Sequence, residues 1–168
     1  YSWWKYTWSN GGWKITNEPD FFKPSCTWTF ISSSSFGVRA NLGGALFDVA
    51  GSSAFPEEDK LWLVTGFLCS RLSFDFLKVS NPTLNFQVAN VNSLPWLPPI
   101  ESNRVSDTVK KLVYSSKGDW DSYETSWDFT SLPLLQPNHR QTPLEATYQS
   151  LRTHWQENTL EMQRLEEE

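Results

Sequence analysis

The chain has 168 residues, 39% hydrophobic and 20% charged, with a net charge of −5. That composition supports a packed core and excludes wholesale disorder, and the negative balance excludes affinity for nucleic acid spread over the whole surface. The charge is uneven, because up to Ile100 seven basic and seven acidic side chains cancel, and all of the excess acid follows, ending in Glu166, Glu167 and Glu168.

Residues 1–24 are aromatic and polar. Four of the ten tryptophans (Trp3, Trp4, Trp8 and Trp13) fall here, with Asn10-Gly11-Gly12 as a turn signal. Such crowding fits a surface covered by further chain or an aromatic contact site. The chain opens at Tyr1, and it is expected to be cut from something longer. Residues 27–33 are rich in β-formers and predict a strand. Residues 36–40 and 45–49 predict two more, joined by a hairpin turn at Asn41-Leu42-Gly43-Gly44. Alternation along 36–40 turns Arg39 away from the core face. Pro56 is expected to open a helix that runs to about Val79, with Glu57, Glu58 and Asp59 in its first turn and Leu61, Val64, Leu68 and Leu72 at helical spacing. Asn81-Pro82 stops it. Residues 83–91 read as extended and lead into the proline-rich turn at 94–99, the best internal boundary. The expected division is residues 1–98 and 99–168.

Beyond that boundary, residues 105–115 predict a short helix, and 120–129 an acidic, aromatic segment with no clear period. Thr142-Pro143-Leu144-Glu145 has the pattern of a capping box. Leu144, Tyr148, Leu151, Trp155, Asn158, Met162 and Leu165 then follow a four-three spacing, a heptad seam with one polar interruption. It predicts a long helix packed on another, in further chain or in a second copy. The fold class expected is α+β: a small antiparallel sheet packed on a long helix, followed by a helical C-terminal section.

Several chemistries find no motif. Asn81-Pro82-Thr83-Leu84 lacks the second proline and the aromatic residue of the tetrad that holds a flipped adenine. The Gly43-Gly44 pair precedes a predicted strand and so does not read as a donor-binding turn, and no P-loop is present. His139 and His154 have no clustered ligands, and Cys26 and Cys69 are too far apart to suggest a metal pair. Asp119, Asp121, Glu124 and Asp128 read as a solvated face and not as an acid–base pair. No secretory signal or membrane-spanning stretch is evident, so no membrane partner and a cytoplasmic location are expected.

Several strings together resemble one family. Thr27-Trp28-Thr29-Phe30-Ile31 with the four serines to Phe36, Phe47-Asp48-Val49-Ala50-Gly51-Ser52-Ser53, and Asn81 to Val88 are similar to the region after the catalytic domain in PglX-type adenine-specific DNA methyltransferases of BREX phage-defence systems. Asp119-Trp120-Asp121-Ser122-Tyr123-Glu124-Thr125-Ser126-Trp127-Asp128-Phe129 is the most specific match. The resemblance implies a target-recognition region, non-catalytic on its own, that reads double-stranded DNA beside an upstream methyltransferase domain. S-adenosylmethionine would serve the parent protein, and no cofactor is expected in this stretch. The alternative is a protein–protein interaction module of the defence complex, supported by the acidic half and the heptad seam. A Trp-rich carbohydrate-binding module is a third and weaker reading.

For DNA, the residue types point to a face. Ser33, Ser34 and Ser35, together with Ser32, offer hydroxyls to phosphates or base edges, though a plain polar turn has the same sequence. Arg39 offers a bidentate fork for guanine or phosphate, with a surface ion pair as its ordinary alternative. Asn85 and Gln87 alternate with apolar residues and could pair with adenine, or cap and tie loops instead. Lys5 and Lys14, beside Trp8 and Trp13, could grip the backbone.

Overall fold

The computed structural model describes residues 17–167. Their contacts divide the chain into two units, Tyr1–Leu97 and Pro98–Glu168.

The first unit is α+β. Strands β1 (Ser25–Trp28), β2 (Val38–Asn41) and β3 (Ser53–Ala54) form an antiparallel sheet in the order β2-β1-β3. Period-two alternation gives β1 two different faces. Cys26 and Trp28 are buried and stand opposite Ala40 and Val38, while Thr27 pairs with Arg39 on one side and Ser53 on the other. Of the strand expected at 27–33 only Thr27 and Trp28 lie in β1, and beyond Trp28 the chain is held by separate backbone bonds. Thr29 N donates to Gly37 O, Phe30 N to Ala50 O, and Ile31 bridges Asn85.

The strand expected at 45–49 does not form. Gly43 and Gly44 take φ of 114° and 85°, and the chain turns onto Phe22: Gly44 N donates to Phe22 O, and Phe22 N to Ala45 O. A Cβ on Gly43 would stand 3.2 Å from the Phe22 carbonyl, so both space and φ favour glycine there. Phe47 packs between Phe21 and Phe55, with ring centroids 5.6 and 4.8 Å apart. The hairpin is instead β1–β2, closed through the serine turn, and the third strand comes later, at Ser53–Ala54.

The helix expected at 56–79 is two helices. A 3-10 turn at Glu58–Lys60 precedes α1 (Leu61–Cys69), and α2 (Arg71–Ser80) follows after a break at Ser70, whose ψ is 150°. Ser70 Oγ accepts from Ser73 N and donates to Phe67 O, capping α2 while closing α1. The break rotates the buried stripe: Leu72, which continues the spacing of Leu61, Val64 and Leu68, is exposed, and Ser73 and Leu77 face inward. The extended stretch expected at 83–91 is limited to the pairing beside Ile31, because α3 (Val88–Asn92) begins three residues after Asn85.

The core of this unit lies between the sheet and the helices. Cys26, Trp28, Phe36, Leu61, Leu68, Leu77, Phe86 and Val91 form one buried cluster. Trp28 is the largest of them, and its Nε1 donates to Phe86 O at 2.9 Å. Cys26 Sγ lies 2.8 Å from Thr65 Oγ1, and burial pushes its thiol pKa up.

The second unit is helical. The short helix expected at 105–115 extends over Ser102–Trp120 (α4), and α5 spans Leu144–Glu167. The two pack on each other, and a 3-10 turn at Pro133–Leu135 also packs against α5. Of the seam residues, Leu151 and Leu165 are buried and Met162 is partly covered, while Leu144 and Tyr148 are exposed. Trp155 and Asn158 are exposed as well, so α4 of the same chain packs on α5 while most of the seam stays open to solvent. At the start of α5 the bonds run between Gln141 and Thr147, with Gln141 N donating to Thr147 Oγ1 at 2.8 Å. Thr142 and Glu145 form no capping box among the described residues. No described helix is long and apolar enough to cross a membrane.

Candidate nucleic-acid interface

The outer face of the sheet is polar because the register puts Arg39, Thr27 and Ser53 in one row, with Thr29 just past the end of β1. Arg39 is exposed, and its Nη2 reaches Thr29 Oγ1 at 3.4 Å. Thr27 Oγ1 donates toward Gly51 O and Ser52 O, and Ser53 Oγ donates to Gly51 O at 3.2 Å. These bonds hold Thr27 and Ser53 against the β3 side and leave the guanidinium as the one projecting charge of the row.

Ion pairing separates Arg39 from the other cations of this unit. Lys23 pairs with Asp20, Lys60 with Glu57, and Arg71 and Lys78 both with Asp75. Among the described basic side chains of the first unit, only Arg39 has no carboxylate partner. The surface ion pair that was its ordinary alternative is not made among the described residues.

Ser33, Ser34 and Ser35 are exposed in the β1–β2 connection, at the sheet end nearer Arg39. Ser32 shapes that turn, its Oγ accepting from Ser34 N and Ser35 N at 3.4 Å each. Asn85 arrives at the same end by its bridge to Ile31, with Ser32 N donating to Leu84 O and Phe86 N to Phe30 O. Gln87 is exposed at the start of α3, where its N–H donates to Asn90 Oδ1. The serine turn, Asn85 and Gln87 thus share one end of the sheet. Lys5 and Lys14 lie outside the described residues.

The loop-tying role belongs to a residue that sequence reasoning treated only as a helix stop. Asn81 Nδ2 donates to Asn85 O and to Asn90 Oδ1, and its Oδ1 accepts from Thr83 Oγ1 at 2.7 Å. Asn before Pro is a turn signal whose side chain bonds nearby backbone, so the hint was present. Thr27 and Thr29 were also missed as face residues; their strand position was the available clue. After β2 the Gly43-Gly44 turn hydrogen-bonds back to Phe22.

No family model matches the chain. It is 37% identical over 132 residues to the adenine-specific methyltransferase PglX of Lacticaseibacillus casei (strain Zhang), covering 76% of this chain and 11% of that protein. It is 34% identical over 125 residues to the adenine-specific methyltransferase BrxX of Escherichia coli O9:H4 (strain HS), covering 73% of this chain and 10% of that protein. The chain is thus related to the PglX- and BrxX-type adenine-specific methyltransferases, and the match spans about a tenth of the length of these curated relatives.

Proposed function

We propose that this chain is a target-recognition region of an adenine-specific DNA methyltransferase, reading duplex DNA with the polar sheet face and the serine turn. The observation that carries the reading is Arg39, exposed and without a carboxylate partner on a face of hydroxyls, where every other described cation of the unit is neutralised. An arginine fork can hold guanine O6 and N7 together, and nearby hydroxyls can take phosphate oxygens to fix register. Asn85 and Gln87, at the end of the same sheet, offer amides that pair with adenine edges. In this reading the S-adenosylmethionine site and the transfer step belong to another part of the protein. The region supplies selectivity.

The test is the methylated motif, mapped by single-molecule sequencing of host DNA from cells making the whole protein as wild type, Arg39→Ala, Asn85→Ala or Gln87→Ala. A relaxed or altered motif in a stably accumulated variant is the expected result. If all three variants keep the wild-type motif and level, this face does not read bases.

A further inference from the structure

The second unit carries an exposed aromatic surface that the DNA reading leaves unused. After α4 the chain passes through three successive turns: Tyr123 N donates to Trp120 O, Ser126 N to Tyr123 O, and Phe129 N to Ser126 O. Lys117 holds them from within α4, its Nζ reaching both Asp121 Oδ2 and Asp128 Oδ2 at 2.5 Å. Ser126 is buried, and its Oγ donates to Asp121 Oδ1 at 2.7 Å while accepting from Asp128 N. Around this knot the large apolar groups point outward. Trp127 is fully exposed at 103%, Trp120 at 56% and Tyr123 at 57%. Three large aromatics exposed within eight residues, on turns fixed by side-chain bonds, are costly to leave in water and mark an interaction surface.

The charge beside them selects the partner. Lys117 is committed to Asp121 and Asp128, whereas Asp119 and Glu124 are exposed and paired with no basic side chain among the described residues. The residues from Pro98 onward carry the whole net negative charge of the chain. Such a surface repels phosphate and attracts cations, and aromatic faces favour guanidinium and ammonium groups. We propose that the Trp120, Tyr123 and Trp127 surface docks an arginine- or lysine-rich segment of a protein partner. The aromatic faces hold the cationic heads, and Asp119 and Glu124 supply the complementary charge.

The probe is a fluorescein-labelled arginine–glycine octapeptide, titrated by anisotropy into the 168-residue chain, with a glutamate–glycine octapeptide and a DNA duplex as comparators. Saturable binding of the arginine peptide alone at this surface is expected. Trp120→Ala/Trp127→Ala should weaken it about tenfold with net charge unchanged, as two lost cation–π contacts imply. Asp119→Asn/Glu124→Gln should weaken it too and reduce its salt dependence. All replaced side chains are exposed, and circular dichroism verifies that the variants fold. Unchanged affinity in the tryptophan double variant overturns the proposal, because general acidity would then suffice. Absence of peptide binding also overturns it. Duplex binding that depends on Trp127 would assign the surface to DNA instead. These readouts are independent of the methylated motif, so either proposal can fail without the other.

Discussion

Trp28 shows how one side chain links sheet to loop in the first unit. Its ring is buried against Phe36, with centroids 6.2 Å apart, and its indole N–H supplies a hydrogen to Phe86 O from within the core. Replacing it with phenylalanine keeps an aromatic body but leaves that carbonyl without this donor. Trp28→Phe is therefore expected to cost about 1–3 kcal/mol, read as a lower urea midpoint at constant m-value. A loss too small to resolve would show that the carbonyl finds another donor. Position along a strand made some residues legible in sequence. Arg39 was expected to face outward from alternation alone, and the register opposite Thr27 places it so. Asn81 was legible only as a stop, because a side chain that bonds residues four and nine positions away depends on a loop path that sequence does not specify.

At the scale of elements, the sheet, the helical regions and the long final helix were readable, and the connections between them were not. The three-four-four spacing of Leu61, Val64, Leu68 and Leu72 predicted one helix, because the apolar Leu72 continues the pattern even though the break turns it outward and Ser73 and Leu77 inward. Ser70 decides the matter locally, offering a cap to Ser73 N and closing Phe67 O. Ser70→Ala is expected to lower stability by about 1 kcal/mol, measured by chemical denaturation. A neutral result would mean that packing of α1 on α2, and not the cap, holds the break. The glycine turn misled for a similar reason. Asn41-Leu42-Gly43-Gly44 has hairpin composition, but the backbone it meets is Phe22, far back in the chain, and the following segment packs Phe47 between Phe21 and Phe55 instead of adding a strand. Polar serines between two strands were equally ambiguous in sequence, and they turn out to close the β1–β2 hairpin.

For the whole molecule, charge decides how strongly it can hold DNA. The first unit is neutral in sum, and its described cations other than Arg39 are paired with carboxylates. If each phosphate contact releases close to one counterion, the logarithm of duplex affinity should fall with the logarithm of salt at a slope of about −1 to −3. Arg39→Ala should take about one unit from that slope, as measured by anisotropy across a salt series. A slope of about −6 or steeper would mean that many more cations reach the backbone than the described surface offers.

The reach from Trp28 to Phe86 spans 58 residues, and β1 lies between partners that all follow it in the chain. During synthesis β1 emerges first and waits. Its tryptophan stays without the Phe86 carbonyl until the loop after α2 has left the ribosome. The first unit can therefore close its core only late in its own translation, and a pause in elongation between Ser80 and Phe86 would hold a nascent chain with its largest core side chain uncovered to chaperones and proteases.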